Sequence, residues 1–288
     1  MPHRLKHLLT VMMTMLLFNL PMLVQATEKG LFWQMESPSG QISYLFGTIH
    51  TDDNRVTDFS PRILDALKSV DLFVMETQPN SNPAYFSMTE GTLKTMLTEA
   101  EMDQVRTLTD FHVMHLEQVL RMKPWLLAVV FSQSKPQTPY AQDNLLMRGA
   151  EDFKKPVKGL ETSEEHFGVV DSFSMSEQML MLRAVLNKTE VEKEHDFERL
   201  MAVYLKGSSD DILTLDAEIT GTTLSKTLWE KLRVKLLDER NVLMAQRAIN
   251  LAKNQSVFVA VGAAHLAGEN GLISAFKKAG YKLTRVKK

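Results

Sequence analysis

The segment Ser43–His50, SYLFGTIH, is an apolar run that ends in Gly-x-x-His, and Val257–His265, VFVAVGAAH, repeats the pattern near the other end of the chain. In each, a strand-like run meets a glycine where the backbone must turn sharply or admit a ligand. Ligands of open sheets gather beyond the carboxyl ends of parallel strands. Two such ends side by side would bring His50 and His265 to one crevice. The expected fold is therefore mixed α/β, with a central sheet that takes strands from both chain ends and a predominantly helical middle.

The flanking sequence fits that frame. Leu31–Met35 and Ile42–Phe46 read as strands joined by a turn over Ser37–Gly40. Ser60-Pro61 opens a helix with apolar Ile63, Leu64, Leu67 and Val70 on one face, and Leu72–Met75 is a strand. From Thr89 to Ser134 the spacing is mostly helical, with breaks near Asp110 and at Pro124, and Trp125–Phe131 reads as a helix packed on most sides. Tyr140–Asp152 is helical, Pro156–Leu160 is a short strand, and helical patterns fill most of 163–252. Ser256–Val261 is a buried strand, Leu272–Ala279 a helix stopped by Gly280, and Tyr281–Val286 a last strand. No linker, charge block or tandem repeat interrupts residues 27–288, which are expected to form a single domain.

Composition bounds the chemistry. Of 288 residues 44% are apolar, enough for a core, and 33 Lys+Arg against 35 Asp+Glu leave none of the positive excess that a nucleic-acid binder needs. With no cysteine, disulfides, thiol nucleophiles and Cys-ligated metals are excluded. Residues 1–26 carry Arg4 and Lys6, then an apolar run, then Val24-Gln25-Ala26, the pattern of a cleaved signal peptide. Asn19 and Pro21 interrupt a run already short for a spanning helix, so no stable membrane anchor is expected after cleavage, and the destination is periplasmic or secreted.

Glu76 closes the strand-like run DLFVME and Glu161 closes PVKGLE, so two carboxylates occupy the same kind of position as the two histidines. Imidazole with carboxylate suits Mn²⁺, Co²⁺, Fe²⁺ or Zn²⁺, and a carboxylate beside such an ion is a natural ligand or general base. Asp52 and Asp53 follow His50 and could orient its ring, bind substrate or cap the loop. Arg240-Asn241 could be a buried supporting pair, an anion contact or an ordinary helix-surface pair. His112 and His115 lack a carboxylate at complementary spacing, and His166 either lines the crevice near Glu161 or lies exposed on a first helical turn. No Gly-x-Ser-x-Gly elbow, phosphate-binding loop or His-Glu-x-x-His pair is present.

Taken in order, YLFGTIH, LFVMET, KKPVKGLETSEEHF, LLDERN and VFVAVGAAHLAGENGLISAFKKAGY resemble the TraB/GumN family, related to the Tiki membrane metalloproteases, over about Leu31 to Val286. The resemblance implies a metal-dependent peptidase-like centre using Mn²⁺ or Co²⁺. It places His50, Glu76 and His265 in the core as metal ligands, with Gly47 and Gly262 shaping it and Glu161, Arg240 and Asn241 at further recurring positions. Where the family often has Gln after its LET block, this chain has Glu165-His166. The expected function is an exported metal-dependent hydrolase, a peptidase using an activated water. Its alternative is a non-catalytic periplasmic binding protein or regulator that sequesters a peptide, metal or haem-like ligand in the same crevice.

Overall fold

The computed structural model describes residues 30–286 except 81 and 137; the leader expected over residues 1–26 lies outside the described residues. Six strands form one sheet in the order β4-β3-β5-β2-β1-β6. Phe32–Glu36 (β1) and Ile42–Thr48 (β2) make the hairpin, and Lys282–Arg285 (β6) pairs antiparallel with β1. Leu72–Met75 (β3), Val157–Gly159 (β4) and Val257–Gly262 (β5) run parallel to β2. The two chain ends thus share the sheet, and β5, from near the carboxyl terminus, lies at its centre between β3 and β2.

Alternation along the strands sends side chains to two separate cores. Leu45, Leu72, Val74, Val257, Val259 and Val261 face one side, packed under Met244, Ala245 and Ala248 of the helix Arg240–Ala252. Phe46, Phe73 and Phe258 face the other, against Ile63 and Leu67 of the helix Pro61–Ser69 and Leu146 and Ala150 of the helix Gln142–Asp152. Phe258 lies 6.2 Å from Phe46 and 6.0 Å from Phe73, so rings from three strands tie that face together.

Helices fill the middle of the chain as expected, several started by Thr or Ser with a reciprocal Glu: Thr162 with Glu165, Ser174 with Glu177 and Thr189 with Glu192. They form their own core around Leu127, Phe131, Met179 and Leu182. Pro124–Phe131 is less enclosed than its apolar composition suggests. Trp125, Leu127 and Phe131 are buried, but Val129 is half exposed because it faces an open cleft between the helices and the sheet's carboxyl edge. Among the described residues no helix is long and apolar enough to cross a membrane.

Candidate functional site

Because β2, β5, β3 and β4 run parallel, their carboxyl ends stop at one edge. Thr48 pairs with Gly262, and beyond the ladder Leu160 and Glu161 continue it by donating their amides to Met75 and Glu76, each at 2.8 Å. His50, Glu76, Glu161 and His265 all leave that edge within a few residues of a strand end.

The second motif is the tighter. Gly262 donates its amide to Glu76 Oε1 at 2.7 Å, and a short 3₁₀ turn, Ala263–Leu266, brings His265 back over it. His265 Nδ1–H donates to Asn241 Oδ1 at 2.7 Å, which leaves Nε2 with its lone pair 3.7 Å from Glu76 Oε1. Burial pushes His265 down to about 4, so it is neutral at pH 7.

The first motif is more open. His50 Nδ1 meets Asp143 Oδ2 at 2.8 Å, and Thr48 Oγ1 donates to the other oxygen of the same carboxylate. Solvent reaches the ring, yet the cleft walls crowd it; the Asp143 charge outweighs that enclosure and lifts His50 to about 9, so it holds its proton at neutral pH. Beneath it, Gln142 Oε1 accepts from the Ile49 amide, and the single proton of the Tyr204 hydroxyl faces both the Gly47 carbonyl at 2.7 Å and Gln142 Oε1 at 2.9 Å. These contacts fix the loop that carries His50.

Arg240 and Asn241 reach the site because a π-helical turn, Val234–Glu239, precedes them and shifts the phase of the helix that follows. Arg240 Nη2 lies 2.6 Å from Glu76 Oε2, 2.7 Å from Glu161 Oε2 and 3.1 Å from His166 Nδ1. His166 Nδ1 is also 3.1 Å from Glu161 Oε2; it either donates to Glu161 or accepts from Arg240, since one nitrogen cannot do both. His166 thus sits on the first turn of its helix and also lines the crevice. Burial alone would raise the Glu76 carboxyl, but His265, protonated in the acid range where Glu76 would titrate, together with Arg240, His50 and the Gly262 amide holds it well below the usual range. Glu161 is likewise lowered despite its burial, through His166 and Arg240.

A divalent ion has two conceivable places. Among the described residues the donors that come within 4.8 Å of one another are Glu76, Glu161 and His166, but Arg240 Nη2 already supplies a cation at that point. The other place is above Gly262. A Cβ there would lie 3.2 Å from Glu76 Oε1, 3.6 Å from the His265 ring and 3.8 Å from His50 Nε2, so the missing side chain opens a cradle framed by the three residues that the family likeness names as ligands. Both imidazoles are held at Nδ1 by an oxygen, the arrangement that presents Nε2 to a metal. The donor chemistry of the cradle suits an ion, though its three residues are not a set whose ligand atoms come within 4.8 Å of one another, and Arg240 Nη1 lies 3.4 Å from His265 Nε2.

Gly47 has a different purpose. A Cβ on it would meet Leu266 Cδ1 at 2.7 Å and the Ala263 backbone at 3.1 Å, so its bareness lets the 3₁₀ turn pack on β2. Asp52, expected to orient His50 or touch substrate, turns away to Lys135 at 2.7 Å and Thr138 at 2.7 Å, while Asp53 caps the helix Asn54–Thr57. His112 is buried against Phe131 in the helical core and takes no part. The residues that sequence reasoning missed are Asp143, Gln142 and Tyr204. An acid in the first turn of a helix, as Asp143 is, normally reads as a partner of the helix dipole.

The cluster lines a cleft of about 710 Å³ whose walls also include Trp125, Val129, Val170, Met181, Phe197 and Leu236. That volume suits a ligand of peptide or drug size.

The chain is 23% identical over 250 residues to an uncharacterized protein, YbaP, of Shigella flexneri, covering 82% of this chain and 88% of that one. The figures are the same for YbaP of Escherichia coli (strain K12). No solved structure gives a significant match. The model of the TraB/PrgY/gumN family matches residues 31–285, which include every strand and the whole cluster at their carboxyl edge, and the chain belongs to that family.

Proposed function

We propose that the crevice is the active centre of an exported metal-dependent hydrolase acting on peptides. The observation that carries the reading is the cradle over Gly262, faced by His50 Nε2, the His265 ring and Glu76 Oε1. His50, His265 and Glu76 would hold the ion, Mn²⁺ or Co²⁺ by family likeness, with Zn²⁺ or Fe²⁺ also compatible with the donors. When bound, a divalent ion supplies a Lewis acid that polarises a carbonyl and makes water a nucleophile near neutral pH.

The chain's own residues divide the remaining work. His265 offers a neutral ring at pH 7, oriented by Asn241. Glu76 is held so far down that it is a weak proton acceptor, which favours ligation over general-base duty. Arg240 fixes Glu76 and Glu161 through its ion pairs with both. Apolar walls exclude water from the bound peptide. Export rests on the signal-like residues 1–26.

The depression of both glutamates is also what a binding protein without turnover would tolerate, and one experiment separates the two readings. Thr27–Lys288 is stripped with chelator, reloaded with Mn²⁺, Co²⁺ or Zn²⁺, and incubated with a peptide library read by mass spectrometry. The expected result is near-stoichiometric metal and new peptide termini, both lost in His50→Ala, with turnover lost in Glu76→Gln while that protein remains folded by circular dichroism. Full cleavage by both variants would overturn the assignment. Retained peptide capture without cleavage in the wild type would move the function to sequestration.

A further inference from the structure

The helix Ser209–Thr223 lines the cleft with Ile212, Asp216, Ile219, Thr220 and Thr223, residues at helical spacing along one face. An aspartate in that row is out of keeping with its neighbours. Three carboxylates line the cleft: Glu76 is paired with Arg240, and Asp196 with Lys188 at 2.8 Å. Asp216 has neither a cation nor a hydrogen-bond donor among the described residues. The long cations lining the cleft are already engaged, Lys188 by Asp196, Lys193 by Glu190 and Arg240 by Glu76 and Glu161. Solvent reaches Asp216 within the cleft, but the walls enclose it closely enough to push its carboxyl up.

Water solvates this carboxylate in the open cleft, and a ligand that fills the cleft displaces that water and is favoured if it brings a cation in its place. We infer that Asp216 is the binding point for a cationic group, an ammonium or a guanidinium, on a substrate whose apolar body fills the cleft. This deepens the reading of the cleft as a substrate channel and rests on it. Discrimination belongs to Asp216, and bond cleavage belongs to the cluster at the other lining residues His50, Glu76 and His265.

The test uses binding alone, so it stands even if no turnover is found. Chelator-treated protein is titrated by calorimetry with octylammonium, octanol and octanoate. Octylammonium is expected to bind about tenfold more tightly than octanol, and octanoate more weakly than either. In Asp216→Asn the preference for octylammonium disappears while octanol affinity holds; in Asp211→Asn, an exposed aspartate of the same helix that does not line the cleft, the preference persists. Leucyl-leucinamide and acetyl-leucyl-lysinamide, each compared with acetyl-leucyl-leucinamide, then distinguish a chain-terminal ammonium from a side-chain one. No saturable octylammonium binding to the wild type, or an unchanged preference in Asp216→Asn, overturns the inference.

Discussion

Gly47–His50 and Gly262–His265 share a pattern, sit on adjacent parallel strands and end at the same sheet edge, yet they are built for opposite conditions. The His265 side chain is 8% exposed, bonded to a neutral amide and depressed to about 4; the His50 side chain is 66% exposed, bonded to a carboxylate and raised to about 9. Their glycines differ too, one opening a cradle and the other admitting a turn of backbone. A repeated motif therefore fixes where two rings meet, while the neighbours on other elements decide what each ring is. His265 arrives ready to donate a lone pair, and His50 must first give up a proton.

The difference in burial gives the largest expected effect. Arg240→Ala would strand Glu161, whose side chain is 1% exposed, beside Glu76, and removing one partner of such a buried pair costs about 3–5 kcal/mol. The matching cut at the open motif, Asp143→Ala, leaves a solvent-accessible imidazole and the buried Thr48 hydroxyl without their partner and should cost less, about 1–3 kcal/mol. Urea unfolding of the two variants measures both. Equal losses would mean that the two motifs are equally enclosed in solution and would break the comparison.

The glycines give the next effect. Gly47→Ala pushes a methyl into Leu266 and the Ala263 backbone, an overpacking expected to cost about 1–3 kcal/mol. Gly262→Ala meets its nearest atom, Glu76 Oε1, at 3.2 Å, and its backbone is at φ −49, which alanine adopts freely. It should change stability by less than about 1 kcal/mol while filling the cradle and abolishing stoichiometric metal uptake. Thermal denaturation beside metal analysis reads both outcomes, and a Gly262→Ala protein that loads metal normally would remove the cradle from the site.

What the sequence disclosed follows from local physics. Short apolar runs, closed by glycine in β2 and β5 and by Glu76 after β3, marked these strands and hence placed His50, Glu76 and His265 at their ends. The partners were harder. Asp52 follows His50 closely enough to orient its ring as readily as to cap the loop, but the chain turns at Thr51 and carries Asp52 to Lys135; the carboxylate that holds His50 comes from Asp143, on a helix far along the chain. Arg240 and Asn241 were visible as a polar pair in a helical stretch. Their direction depends on the π turn at Val234–Glu239, which adds a phase shift that no regular periodicity reports. The cleft itself is made by helices packing across the sheet edge, a tertiary arrangement with no local signature. Asp216 therefore carries no mark in the sequence that sets it apart from other polar residues of a helix.

Titration sharpens the contrast with the smallest perturbation. In the chelator-stripped protein, His50 at about 9 and His265 at about 4 lie on opposite sides of the ordinary histidine value of about 6.5. Between about 6.5 and 9 the folded chain keeps a proton on His50 that the unfolded chain releases, so this stabilisation is complete below 6.5 and is lost as pH rises through 9. Between about 4 and 6.5 the unfolded chain takes up a proton that folded His265 refuses, so stability falls as pH drops through that window. The two slopes have opposite sign, and their joint contribution peaks near pH 6.5. Proton NMR of the ring resonances should show one histidine titrating near 9 and another near 4, with the first returning toward 6.5 in Asp143→Asn and the second unmoved. A His50 resonance that titrates near 6.5 in the wild type would mean that Asp143 does not grip the ring in solution, and the difference between the two motifs would reduce to burial.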